Sequence, residues 1–297
     1  MRRQLTRITV SVAAIVSVAV LWGTLGSVSV AGQGQNTYKA PRNAFGAPDL
    51  SGFWQALNTA NWDIEEHGTA PSPFPELLGV YLAQPAGLSI VEGGTIPYKP
   101  DALKKRDEFR KSRLMHDPLL LDNTSEDKAD PEAKCFQGGI PRANYIGFPF
   151  QIIQSKDKIL MAYEYAGSPR VVHVGDDLTK TRATLLEVNS WNGQSVGKWE
   201  GDTLVIDARW FSGPSVWLDR SGNFYSEFGN VVERFTPVSP NHLQYEATIT
   251  DPETFTRPWK LSMPLYRRME PNMRLLEFQC IPFAEPFMYG KLAKPKE

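Results

Sequence analysis

From residue 150 onward, short β-prone runs follow one another at a spacing of roughly 10–15 residues, which leaves little room for anything but strands and turns. The runs are 150–154, 158–165, 170–174, 184–187, 193–199, 203–208, 231–236, 242–250, 259–264 and 275–280. Between them lie turn-forming sets such as Ser155-Lys156-Asp157, Glu200-Gly201-Asp202, Ser221-Gly222-Asn223 and Pro240-Asn241. This spacing predicts a mainly β chain, an antiparallel β-barrel or sandwich of the lipocalin-like kind. In Leu243-Gln244-Tyr245-Glu246-Ala247-Thr248-Ile249 apolar and polar residues alternate, so one face is buried and the other wet. The stretch Gly197 to Asp207 is the sharpest local signal: Trp199 ends one run, Gly201 offers the positive φ of a tight reversal, and Thr203 to Ile206 form the return strand.

The first 149 residues read differently. Arg2, Arg3 and Arg7 precede an apolar run from Ile8 to Leu21 and a small-residue end at Ser29-Val30-Ala31, the pattern of a cleaved secretory signal over residues 1–31. That run is shorter than a bilayer span, so no membrane span is expected after signal removal and the chain is placed in the periplasm or outside the cell. An uncleaved anchor is the competing reading, and Arg2-Arg3 leaves twin-arginine export open. Residues 32–48 form a flexible leader. Residues 49–134 form an extended, proline-rich arm, with Phe53-Trp54 in a short strand and one helix over 101–115. Asp101 is the expected cap of that helix, with Leu103 and Leu114 on its apolar stripe and its charged side in solvent. Residues 135–290 make the antiparallel β domain.

Charge and cysteine usage narrow the partners. With 32 basic against 33 acidic side chains and no basic stripe, nucleic acid is not an expected partner. Eight tryptophans, fifteen phenylalanines and ten tyrosines supply rings for a core or for a pocket that takes a small apolar or aromatic molecule. The two cysteines, Cys135 and Cys280, are expected to pair in an oxidising compartment, with two buried free thiols as the alternative.

Several segments together resemble a largely uncharacterised family of exported bacterial proteins. They are Cys135-Phe-Gln-Gly-Gly-Ile-Pro-Arg142, Phe148 to Gln154, the hairpin Gly193 to Asp207, Val232-Glu-Arg-Phe235, Asp251-Pro252 with Pro258-Trp259, and Glu277-Phe-Gln-Cys280. The resemblance spans about residues 48–280 and implies an exported β-rich domain. Gly175-Asp176-Asp177-Leu178 stands where that family usually carries an Asp-Gly-Arg turn, which implies a shifted specificity if the turn serves a substrate.

No metal-ligand spacing occurs among the four histidines His67, His116, His173 and His242, and no cofactor motif is present, so neither metal nor cofactor is expected. His173, in the strand Arg170-Val-Val-His-Val, is the first acid/base candidate, with the reading as a packed or surface residue beside it. Among the carboxylates Glu164, Glu200, Asp202, Asp219 and Glu233, the preferred two are Glu164 and Glu233. A carboxyl near aromatic rings has its pKa raised, and Glu233 or its neighbour Arg234 faces inward and needs a buried partner. Arg142 and Arg170 could fork onto a carboxylate or phenolate, or form structural ion pairs. Trp191, Trp217 and Tyr225, with Trp199, could stack on a substrate ring or pack the core. Ser195 sits in Gly193-Gln-Ser-Val-Gly, but a nucleophile elbow needs a strand-to-helix turn that this stretch lacks.

The function expected from these residues is an exported enzyme that performs cofactor-free acid/base chemistry, as a lyase, isomerase or hydrolase, on an apolar or aromatic compound. Two alternatives accompany it: a non-catalytic lipocalin-like protein that binds a hydrophobic ligand, and an envelope interaction module that uses the arm.

Overall fold

A computed structural model describes residues 38–71, 83–112, 130–175, 189–213 and 215–280. The export signal, the run 184–187, His116, Leu114 and residues 122–129 lie outside them.

Among the described residues the chain is mainly β and closes a barrel of nine strands. In chain order the elements are β1 (Gly52–Gln55), α1 (Pro100–Ser112), β2 (Phe150–Gln154), β3 (Lys158–Tyr163), β4 (Pro169–Val174), β5 (Gln194–Glu200), β6 (Thr203–Arg209), β7 (Val216–Trp217), β8 (Phe224–Tyr225), β9 (Asn230–Ser239), β10 (His242–Thr250) and β11 (Trp259–Arg267). Around the barrel the order is β1-β11-β10-β9-β6-β5-β4-β3-β2, and β7 with β8 makes a separate two-stranded ribbon. Neighbours run antiparallel except at one seam, where β4 and β5 pair in parallel through Val172 with Ser195 and Val174 with Gly197. The hairpin between β5 and β6 turns at Gly201, whose φ is 63°.

Closure depends on β1. It pairs with β2 through Gly52–Ile152 and with β11 through Trp54–Arg267. Arg267 fastens the seam: its guanidinium lies 4.2 Å from the Trp54 ring centroid and donates to the Ser51 and Pro240 carbonyls. Gly52, at φ 137°, leaves the room this takes, because a Cβ there would stand 2.1 Å from Arg267 Nη1.

Period-2 alternation sends Phe150 and Ile152, Ile159 and Met161, Leu204 and Ile206, and Leu243 to Ile249 at every second position into one continuous core. The two ends of this barrel differ. Tight turns at 155–157, 200–202 and 240–241 close one end, whereas the other end, here the mouth, receives the long connections β1 to β2, β6 to β9 and β10 to β11.

The proline-rich arm hydrogen-bonds to the free half of β11: Glu92 N–H donates to the Lys260 carbonyl and Ser262 N–H to the Ile90 carbonyl. Helix α1 seats Phe109 against Trp217 of the ribbon, ring centroids 4.8 Å apart. Two expectations for this helix change. Pro100 occupies its first turn, leaving Asp101 exposed and paired with Lys104 rather than capping it. Its arginines Arg106 and Arg110 turn inward onto Glu65 and Asp63, because the mouth presents carboxylates there. Residues 38–48, within the stretch read as a leader, are held by the Arg42–Asp202 ion pair and by Ala40 N–H on the Asp202 carboxylate.

The run 275–280 is expected as a strand and is not one: residues 272–280 have no ladder partner among the described residues, and the closed barrel offers them no open edge. What holds this tail is local. Leu276 N–H donates to Glu164, Phe278 packs at 4.7 Å from Tyr165, and Cys280 is bonded to Cys135. The disulfide closes a sequence separation of 145 residues. Replacing both cysteines by serine should therefore lower unfolding free energy by about 5 kcal/mol on the chain-entropy model. Guanidinium unfolding measures it, and a loss under about 1 kcal/mol would show that the tail is held by its other contacts.

Candidate functional site

Inside the barrel, near the mouth, two inward-facing positions carry opposite charges. Arg170 of β4 and Glu233 of β9 are 3% and 0% exposed and pair at 2.5 Å, Nη2 to Oε2. Other atoms of the pair are hydrogen-bonded as well, and Arg170 Nη1 lies 3.9 Å from the Met161 sulfur. Arg170 Nε donates to Ser195 Oγ at 2.9 Å, and Glu233 Oε1 accepts from Asn144 Nδ2 and the Tyr245 hydroxyl, each at 2.9 Å. Tyr163 donates to Asn144 Oδ1 at 3.0 Å. Burial opposes the Arg170 charge, but the Glu233 carboxylate outweighs it and holds the guanidinium above its ordinary value. Burial likewise pushes the Tyr163 and Tyr245 hydroxyls up, so both remain protonated donors.

Asn144 belongs to a 3-10 turn, Arg142–Asn144, that caps the mouth. Arg142 itself is fully buried. It forks onto Asp130 at 2.7 and 3.0 Å, reaches Glu132 at 2.8 Å and donates from Nε to Asn61 at 2.8 Å. Glu132 also takes both arms of Arg220, whose guanidinium stacks 4.2 Å from the Trp62 ring centroid. Burial raises Glu132, and the Arg220 and Arg142 partners reverse this to hold it below the usual carboxylate range. This network is charge-matched and anchors the loop that carries Asn61 and Asp63.

Across that loop lies the arrangement with chemical capability. Asn223 Nδ2 is shared by two carboxylates, donating to Asp219 Oδ2 at 2.7 Å and to Asp63 Oδ1 at 3.1 Å. Asp219 is sealed at 0% exposure and accepts from the backbone N–H groups of Ile64, Ser221 and Asn223. Burial, followed by the Asp63 charge, pushes its carboxyl up to about 7 against those donors. Asp63 is also buried, at 4% exposure, and differs in its partners: Arg110 Nη2 pairs with its Oδ2 at 2.8 Å, and it lies at the wall of a surface cleft of about 380 Å³ with Glu66, His67, Gln84, Arg110 and Ser221. His67 Nδ1 lies 2.8 Å from the Glu65 carbonyl, which can only accept, so Nδ1 is the donor. Its Nε2 is buried without a hydrogen-bond partner.

The residues expected from sequence do not gather at one place. Glu233 and Arg170 meet in the core, and Arg142 serves the charged network. His173 shares the outer wall of β4 with exposed Val171, on the other side of the sheet from Glu233. Glu164 holds the tail through Leu276 N–H. Trp217 packs under α1, and Tyr225 is buried with its hydroxyl on the Ile140 carbonyl. Trp191 is half-buried and stacks on Phe136 at 5.2 Å. Asp63, Asn223 and Arg110 were not anticipated, and Asp219 was weighed without preference. One local signal did exist: Asp219-Arg220-Ser221-Gly222-Asn223 is an Asx-turn pattern, which folds N–H groups onto the aspartate's own carboxylate.

The fold and its mouth thus define a filled β-barrel with a paired carboxylate site at one end. No family model, curated protein or solved structure matches the chain.

Asp219 sets a pH dependence. The folded chain retains its proton up to about 7, whereas an unfolded aspartate releases it near 3.9. The folded state therefore binds more protons across this window, and the stability this group contributes, complete below about 4, is lost as pH rises towards 7. A carboxyl-carbon NMR titration of labelled aspartate should show one midpoint near 7; all midpoints below 5 would contradict it.

Proposed function

We infer that the protein is an exported enzyme of the resembled family that performs cofactor-free acid/base chemistry at the mouth cleft, as a lyase, isomerase or hydrolase. The single observation that carries this reading is the Asp63–Asn223–Asp219 arrangement, in which one amide bridges a carboxylate that reaches a cleft and one that does not. An amide shared between two carboxyl groups fixes the orientation of both, so Asp63 stands at the cleft in one position. Asp63, ion-paired with Arg110, is the group placed to take a substrate proton. Asp219 touches no substrate; through Asn223 it fixes the position of Asp63. Arg110 offers its remaining N–H groups to an anionic head or a developing oxyanion.

The walls of this cleft are polar, so the substrate suited to it carries a hydroxyl or carboxylate head, a narrower class than the apolar or aromatic compound expected from the ring count. Support for an enzyme over a lipocalin-like carrier comes from the barrel interior, which the Arg170–Glu233 pair and its rings fill.

Turnover of a panel of small hydroxy and aromatic acids, followed by proton NMR, tests the reading. Asp63→Asn should lower kcat by about 10²-fold or more with the fold retained. Arg110→Met should raise KM, whereas His173→Ala and Glu164→Gln should leave turnover intact. Undiminished turnover in Asp63→Asn, or no turnover of any panel member, would contradict it.

A further inference from the structure

At the opposite end of the barrel from the mouth, a second cleft of about 530 Å³ is built from different chemistry. Its walls are Phe45, Pro48, Val174 and Trp199, and its charges are Arg42 and Lys156. The size falls within the range of small-molecule sites. The apolar side chains do not gather here by collapse into the core. Phe45 is 54% exposed, although burying its ring elsewhere would be favourable, and its loop is held in place. Asn43 Oδ1 accepts from Phe45 N–H at 3.0 Å and Ala47 N–H at 3.1 Å, and Gln154 Nε2 donates to the Pro48 carbonyl at 2.9 Å. Trp199 is half-buried, rooted in the core beside Val174. The ring surfaces are therefore presented by a fixed frame.

The two charged side chains that line the cleft are both cationic, and Asp202 beside it engages one of them. Lys156, in the β2–β3 turn, has no ion-pair or hydrogen-bond partner among the described residues. Arg42 spends one Nη2 contact on Asp202 at 2.6 Å and has further N–H groups that make no described bond. Two ring surfaces in a lining of mixed polarity, with Lys156 at its edge and Arg42 already held by Asp202, complement a flat ring body bearing one negative charge.

The geometry points to a binding site for an aromatic carboxylate in this cleft, its ring against Phe45 and Trp199 and its carboxylate on Lys156. This site is independent of the Asp63 cleft and involves no proton transfer.

Isothermal titration of the full protein with 1-naphthoate, and with the neutral 1-naphthalenemethanol, tests the site. Saturable binding of naphthoate at one site is expected. Lys156→Met should weaken naphthoate about five- to tenfold and leave the alcohol unchanged, because only the charge contact is lost. Phe45→Ala should weaken both by a similar factor. Both residues are exposed, so neither variant endangers the fold. Asp63→Asn should leave naphthoate binding as it was. Non-saturable heat, binding indifferent to Lys156→Met and Phe45→Ala, or binding abolished by Asp63→Asn would each overturn the assignment.

Discussion

One buried ion pair constrains the rest of this molecule. Moving a carboxylate and a guanidinium from water into a barrel core costs several kcal/mol each, and their attraction offsets this only when hydrogen bonds complete both groups. Here Ser195 takes Arg170 Nε, and Asn144 and Tyr245 complete the carboxylate. The pair spans the interior from β4 to β9, strands separated around the wall by β5 and β6. A slip of one residue in either strand would turn a charge outward and its partner would be stranded, so the pair constrains the register of β4 and β9.

From that point order passes outward. Asn144 couples Glu233 to the 3-10 turn, the turn places Arg142, and Arg142 with Asp130, Glu132 and Arg220 grips the loop that carries Asn61, Asp63 and Ile64. Asp219 then accepts the Ile64 N–H, and α1 closes over the assembly through Arg106 and Arg110. The filled interior has a functional consequence. Reactive groups have to stand at the ends of the barrel, where the connections diverge, and the ends differ: a polar, carboxylate-paired mouth at one, an aromatic and cationic cleft at the other.

Much of the fold was legible because its signals are local. The alternation in Leu243 to Ile249, the glycine-centred reversal at Gly201 and the turn sets between strands each follow from the conformational limits of one short stretch. The cysteine pairing followed from counting. The parallel seam between β4 and β5 was not legible, since nothing in either strand specifies the direction of its neighbour. Nor was the fate of 275–280, whose β-prone composition suits a strand that a closed barrel has no edge to accept. At the sites, sequence reasoning found that Glu233 or its neighbour must face inward and need a partner. It could not say that Arg170, 63 positions away, was that partner. Asp63 and Asp219 were harder still: they are 156 residues apart by number, and only the mouth brings both to Asn223.

The central claim is that the Arg170–Glu233 contact, and not the general apolarity of the core, locks the barrel. A double-mutant cycle with Arg170→Met and Glu233→Gln, read as unfolding free energies in urea, addresses this directly. Each single change leaves a buried charge without its opposite and should cost about 3–5 kcal/mol. The account predicts that the double variant costs less than the two singles combined by 2 kcal/mol or more, within the range of strong coupling. Additivity to within about 0.5 kcal/mol would show that the two residues act independently and would contradict it.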